Sequence, residues 1–189
     1  MKKFVSLILA AMLLFTFTAV AEQEAQEGPQ TYEWSKYEQI AELMGAEGNW
    51  ATYGQFSLKL WIPAGYEQAP DDQISEDYKS QGYIDLFGSD DHPLAIGVQF
   101  TNLGEGLENA EDLYNNIDAS KYDAPTLTRI NTYDVLLLTE NQGENLSVCI
   151  SGGKGEFLVF HYFHMNADQW STDRAAISMA SIQDATSEQ

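Results

Sequence analysis

The side chains most able to do chemistry are three histidines, a lone cysteine and an excess of carboxylates. His161-Tyr162-Phe163-His164 has the spacing of a short metal motif. On a strand, residues three apart point to opposite faces, so the two imidazoles do not share one zinc. His161 then reads either as a pocket residue or as a core imidazole with one satisfied hydrogen bond. Asp90-Asp91-His92 forms a compact acidic loop tip. Its oxygens are of the kind calcium takes, but the alternating ligands and glycine of a calcium loop are missing. The residues stand as a candidate metal site against the plainer reading of a polar hairpin loop. No other cofactor is suggested.

Ser151-Gly152-Gly153-Lys154-Gly155 offers backbone amides to an anion, without the spacing or final Ser/Thr of a phosphate-binding loop. A hairpin turn explains it better. Cys149 lies in an apolar run, which predicts a buried, inert thiol. Being single, it forms no disulfide within the chain. Asn145-Leu146-Ser147 is formally a glycosylation sequon. No Gly-x-Ser-x-Gly element is present. A carboxylate pair could serve glycoside hydrolysis, but 29 acidic residues offer no way to choose one. Trp50, Trp61 and Tyr83 are candidates for a concave aromatic binding surface, and core packing is the alternative for each.

The elements that must position these residues begin after an export signal. Lys2 and Lys3 precede an uncharged apolar run, Phe4 to Val20. Ala19-Val20-Ala21 then fits the small-x-small pattern, which predicts cleavage before Glu22. An uncleaved anchor is the alternative, since the run is about the minimum length for a bilayer. No Cys follows the run to carry a lipid. Removing residues 1–21 leaves seven basic against 29 acidic residues, a formal charge of −22. That balance disfavours nucleic acid and anionic membrane surfaces as partners, since both select Lys and Arg. It favours solubility and cationic partners. The expected organisation is a signal peptide over 1–21, a flexible acidic tether over 22–31, one globular domain over 32–184, and a polar tail over 185–189.

Within the domain, Trp34, Tyr37, Ala41 and Met44 recur at helical spacing, and Gly45 and Gly48 end the helix. Phe56, Leu58, Leu60 and Ile62 alternate as a strand with one apolar face. A short helix over Ile74 to Ser80 has Ser75 near its start. Strands follow over Tyr83–Phe87 and Leu94–Phe100, joined by the loop Gly88 to Pro93. Asn109 reads as the N-cap of a helix over Ala110 to Ile117. Four more strands are expected at Thr126–Ile130, Val135–Glu140, Leu146–Ile150 and Glu156–Phe163. In Val135-Leu136-Leu137-Leu138 and in Phe157 to Phe163 both alternating sets are apolar, as in the middle of a sheet covered on both sides. A last helix, about Ala167 to Gln183, carries an expected solvent stripe of Ser171, Arg174, Ser178 and Ser181. Together these predict an α/β/α three-layer sandwich, α+β in class. Its antiparallel sheet has about six to seven strands with helices on both faces.

Four segments carry a resemblance: Trp61 to Tyr66 (WIPAGY), Gly106 to Ile117 (GLENAEDLYNNI), Arg129 to Leu138 (RINTYDVLLL) and Ile177 to Gln183 (ISMASIQ). Their order resembles the fold shared by the PsbP proteins of photosystem II and a family of eukaryotic Ran-binding proteins. It also resembles small exported proteins of Gram-positive bacteria of unknown function. Relatives often carry Gly after Ile-Asn, where this chain has Thr132. The resemblance implies a PsbP-like domain with a non-catalytic binding or accessory role. The partner it implies is an unknown protein, a small ligand or a cell-envelope component. Two other functions stay open: a secreted hydrolase using a carboxylate pair, and a surface-acting inhibitor or assembly factor. The first predicts a pocket holding two close acids, the second a large exposed apolar patch.

Overall fold

A computed structural model describes residues 31–186. The expected signal peptide, nearly all of the tether and the last residues of the tail lie outside that range. Among the described residues are eleven strands in two sheets and four α-helices. No helix among them is long and apolar enough to cross a membrane.

The larger sheet has eight strands in the order β1-β7-β8-β9-β10-β6-β5-β4. They are β1 (Thr31–Tyr32), β4 (Glu67–Gln68), β5 (Tyr83–Ser89), β6 (His92–Asn102), β7 (Thr126–Ile130), β8 (Tyr133–Glu140), β9 (Asn145–Gly153) and β10 (Glu156–Phe163). All neighbours are antiparallel except the short β1–β7 pair. A second sheet holds β2 (Gly48–Tyr53), β3 (Leu58–Pro63) and β11 (Gln183–Asp184) in the order β11-β3-β2. The helices are α1 (Trp34–Met44), α2 (Glu76–Ser80), α3 (Ala110–Asn116) and α4 (Gln169–Ala180).

The central strands bury side chains on both faces, as their double apolar pattern requires. On one face Val135, Leu137, Val148, Leu158, Phe160 and Tyr162 join the main core beneath α1, α4 and the small sheet. On the other, Leu136, Leu138, Cys149, Phe157 and Val159 meet Ala110 and Leu113 of the short helix α3. The antiparallel α+β class therefore holds, but the layers differ from expectation. The sheet has eight strands rather than six or seven, and the expected Phe56 strand belongs to a separate sheet. Phe56 itself falls in a 3₁₀ turn before β3.

β3 is buried along its whole length, not on one face. Its second face lies under the last helix, through the serines that the helical spacing had assigned to solvent. Ser178 Oγ donates to the Trp61 carbonyl at 2.8 Å, and the Trp61 amide donates to Ser181 Oγ at 2.8 Å. Ser171, Ser178 and Ser181 are fully buried, and Arg174 is half-buried. The Ser178 and Ser181 hydroxyls let helix and strand backbones approach while satisfying their polar groups.

Local signals explain the element ends. Asn109 caps α3 by accepting from the Asp112 amide, and Ser75 caps α2 through the Tyr78 amide. Gly45 ends α1 in the left-handed region at φ 63°. At the β7–β8 turn, Asn131 (φ 50°) is bonded to three separate elements. Its Oδ1 accepts from the Trp34 amide at 2.7 Å, and its Nδ2 donates to the carbonyls of Ala180 at 3.0 Å and Ile182 at 2.7 Å. One amide thus joins the start of α1, the end of α4 and the main sheet.

Candidate functional site

Helix α3 is too short to cover its face of the main sheet. Toward β6 and β5 it leaves a cleft of about 520 Å³. Two of the expected site residues, Tyr83 and His161, line it together. The sheet register explains why. His161 pairs with Ser147 on one side and Gly97 on the other, so all three share a face. Gln99 follows two residues along β6, opposite Val159.

Gly97 makes room for the aromatic wall. A Cβ there would lie 2.8 Å from a Tyr83 ring carbon and 3.2 Å from the Phe163 ring. Without it, the Tyr83 ring lies 5.2 Å from His161, centroid to centroid, and Phe163 stacks on the imidazole at 5.8 Å. Tyr78 of α2 meets Tyr83 edge-on at 4.9 Å.

The polar centre is a chain of four groups. Gln99 Nε2 donates to the Gln81 carbonyl at 2.6 Å, which turns Gln99 Oε1 toward His161. That oxygen lies 2.9 Å from His161 Nε2, and Ser147 Oγ lies 2.8 Å from His161 Nδ1. An amide oxygen only accepts, so the imidazole carries its proton on Nε2 and its Nδ1 accepts from the Ser147 hydroxyl. Burial pulls the His161 pKa down to about 4, which keeps this neutral tautomer in place at neutral pH. Burial also pushes Tyr83 up to about 12, with Tyr78 and Glu140 adding to the effect, so the phenol keeps its proton. Cys149, on the inner wall, is buried, and its thiol is pushed up to about 12. It is a poor nucleophile there, as its apolar run predicted.

A serine bonded to an imidazole invites comparison with a hydrolytic pair. Three features oppose it. An imidazole with so low a pKa is a weak base. Its third partner is a neutral amide, which does not stabilise an imidazolium as a carboxylate does. And β9 lies between β8 and β10, so its amides are committed to the ladders rather than free to hold an oxyanion. Among the described residues the lining contains one carboxylate, Glu140, so they do not bring to this cleft the two close acids a carboxylate hydrolase needs. No Lys or Arg lines it among the described residues.

The cleft's outer lip is held by the glycine-rich turn. The Lys154 amide donates to a Glu108 carboxylate oxygen at 2.9 Å, and the Gly155 amide donates to the Leu107 carbonyl at 3.0 Å. Those turn amides thus hold the chain's own loop, which places Leu103 and Leu107 over the cleft.

The other expected residues lie elsewhere. Trp50 on β2 and Trp61 on β3 are cross-strand partners and line a separate groove with Trp34. Asp90 and Asp91 form the exposed tip of the β5–β6 hairpin. His92 stacks on Trp170 at 3.5 Å with an interplanar angle of 7°. Among the described residues, no three His, Cys, Asp or Glu side chains converge as a metal donor set. His164 lies just past β10, at φ 55°, and bonds Glu144 at 2.6 Å, apart from His161. Gln99 and Ser147 are the site residues that sequence reasoning missed. The signal for Ser147 was its place as a polar residue between apolar ones on a central strand.

No protein-family model and no curated protein matches the chain. Among solved structures it is similar to the solution structure of cyanobacterial PsbP (CyanoP) from Synechocystis sp. PCC 6803. That match has 14% identity and a TM-score of 0.47, over 72% of this chain and 91% of that one. It is also similar to a crystal structure from Bacteroides thetaiotaomicron VPI-5482, at 14% identity and a TM-score of 0.46. There the match covers 72% of this chain and 48% of the other, about half its length.

Proposed function

We propose that this chain is an exported, non-enzymatic binding domain that takes an uncharged, partly apolar small ligand in the cleft beside α3. The domain is read as a three-layer sandwich with unequal outer layers, the thinner one leaving the site open. The observation that carries the reading is the neutral His161, fixed between Gln99 and Ser147 inside an aromatic and aliphatic wall. Few oriented polar groups in an otherwise apolar cleft is the usual make-up of a small-molecule site. Among the described residues no cationic side chain lines the cleft, and the chain's charge of −22 after residue 21 repels anions.

N-phenyl-1-naphthylamine, an uncharged probe that fluoresces in apolar surroundings, tests this. Its fluorescence is expected to rise and saturate at one probe per chain. Thr101→Trp, which fills the cleft from the half-buried rim of β6, should weaken binding at least about tenfold. No saturable signal, or a signal unchanged in Thr101→Trp, would defeat the proposal.

Export rests on the pattern of residues 1–21. Mass spectrometry of the protein recovered from outside the producing cell should give a chain beginning at Glu22. A chain beginning at Met1 would refute cleavage.

A further inference from the structure

Between α1 and β2 lies a second, open groove of about 320 Å³. Its floor carries three of the chain's four tryptophans, Trp34, Trp50 and Trp61. Trp34 meets Trp50 nearly edge-on, with centroids 5.4 Å apart and planes at 76°. Gly48 lets the Trp61 indole settle on the floor, since a Cβ there would come 2.2 Å from Trp61 Cε2. The rim is acidic: Glu38, Glu42 and Glu47 are all exposed. Glu38 and Glu42 are four residues apart on α1 and so share one helix face. No Lys, Arg or His lines it among the described residues.

Indole faces attract cations most strongly of the aromatic side chains, and angled aromatics are the usual receptor for quaternary ammonium groups. The chain already uses one of these rings this way. Lys59 Nζ lies 4.8 Å from the Trp50 centroid, although Lys59 does not itself line the groove.

We propose that this groove is a second binding site, independent of the cleft, for a small organic cation bearing a quaternary ammonium group. The half-buried Trp34 and Trp50 indoles receive the alkylated head over the nearly buried Trp61, and the three glutamates supply the opposing charge. An anion or a neutral molecule of the same shape gains only part of this.

The test is a titration with choline, watched through the four indole N–H signals of ¹⁵N-labelled protein. The neutral isostere 3,3-dimethylbutan-1-ol is titrated in parallel. The Trp34, Trp50 and Trp61 signals should shift saturably with choline while Trp170 stays still. The isostere should bind more weakly. The double variant Glu38→Gln/Glu42→Gln alters only exposed side chains, so it should keep the fold. It should weaken choline binding roughly three- to tenfold. Absence of a saturable shift would overturn the proposal. So would equal binding of the isostere, or unchanged binding in the glutamine variant. The naphthylamine signal, read from the cleft, should not respond to choline, so either site can fail without the other.

Discussion

Asn131→Ala should destabilise the protein by about 4 kcal/mol, a large loss for a half-buried turn residue. The change removes three hydrogen bonds, to the Trp34 amide and to the carbonyls of Ala180 and Ile182. Each is worth about 1 kcal/mol net, and more where a buried partner is left bare. The left-handed backbone at φ 50° adds a further cost for alanine of about 1 kcal/mol. Asn131→Gly separates the two effects, because glycine adopts that backbone freely. It should recover roughly 1 kcal/mol relative to alanine. Thermal melts should show a drop of about 8 to 16 °C for alanine, on the size scaling for a domain of this length. Variants that both melt within a degree of the parent would show that Asn131 joins nothing. The Trp34 amide is one of its partners, so the alanine change should also loosen the indole groove.

The second large effect is a pH dependence that His161 imposes. Its pKa is about 4 in the folded chain, lowered by burial from an ordinary 6.5. Between those values the unfolded chain binds a proton that the folded chain does not. Stability therefore falls as pH drops from about 6.5 toward 4, and His161's contribution is fully present above 6.5. The full shift corresponds to about 2 to 3 kcal/mol after allowance for partial exposure. Carboxylates titrate near the lower end of this window too. The informative quantity is thus the difference between the parent and His161→Leu, which carries no imidazole. Denaturant unfolding at several pH values should show that difference shrinking in the parent's disfavour below pH 6.5. A difference independent of pH would mean that His161 is not held neutral by burial.

Much of the fold was legible because local signals agreed with the tertiary structure. The double apolar pattern of Val135 to Leu138 and of Phe157 to Phe163 gave the middle of the sheet, and Asn109 gave a true cap. What failed was where tertiary context decided. Gly48 to Tyr53 has no clean alternation, and β2 exists because it pairs with β3. Ser171, Ser178 and Ser181 look like a solvent stripe at helical spacing. Ser178 and Ser181 face the Trp61 backbone and keep the same spacing while being buried. Lys59 is buried by laying its stem across the small sheet with its ammonium over Trp50.

Of the candidate site, two residues stood out in the sequence. Tyr83 and His161 were recognisable as aromatic and titratable residues on strands. That they meet, while Trp50 and Trp61 meet Trp34 instead, depends on strand order and register. The β10–β6 pairing crosses about sixty residues of sequence, and no local pattern reveals it. Gln99 gains its role only there, since the Gln81 carbonyl orients its amide toward His161.

The reading of the cleft as a ligand site is tested most directly by ring ¹⁵N signals of histidine-labelled protein during titration with N-phenyl-1-naphthylamine. His161 should begin as the neutral Nε2–H tautomer at pH 6, and its ring signals should shift saturably as the probe fills the cleft. His92 and His164 should not move. A His161 signal that stays fixed through saturation, or a shift confined to His92, would contradict the account.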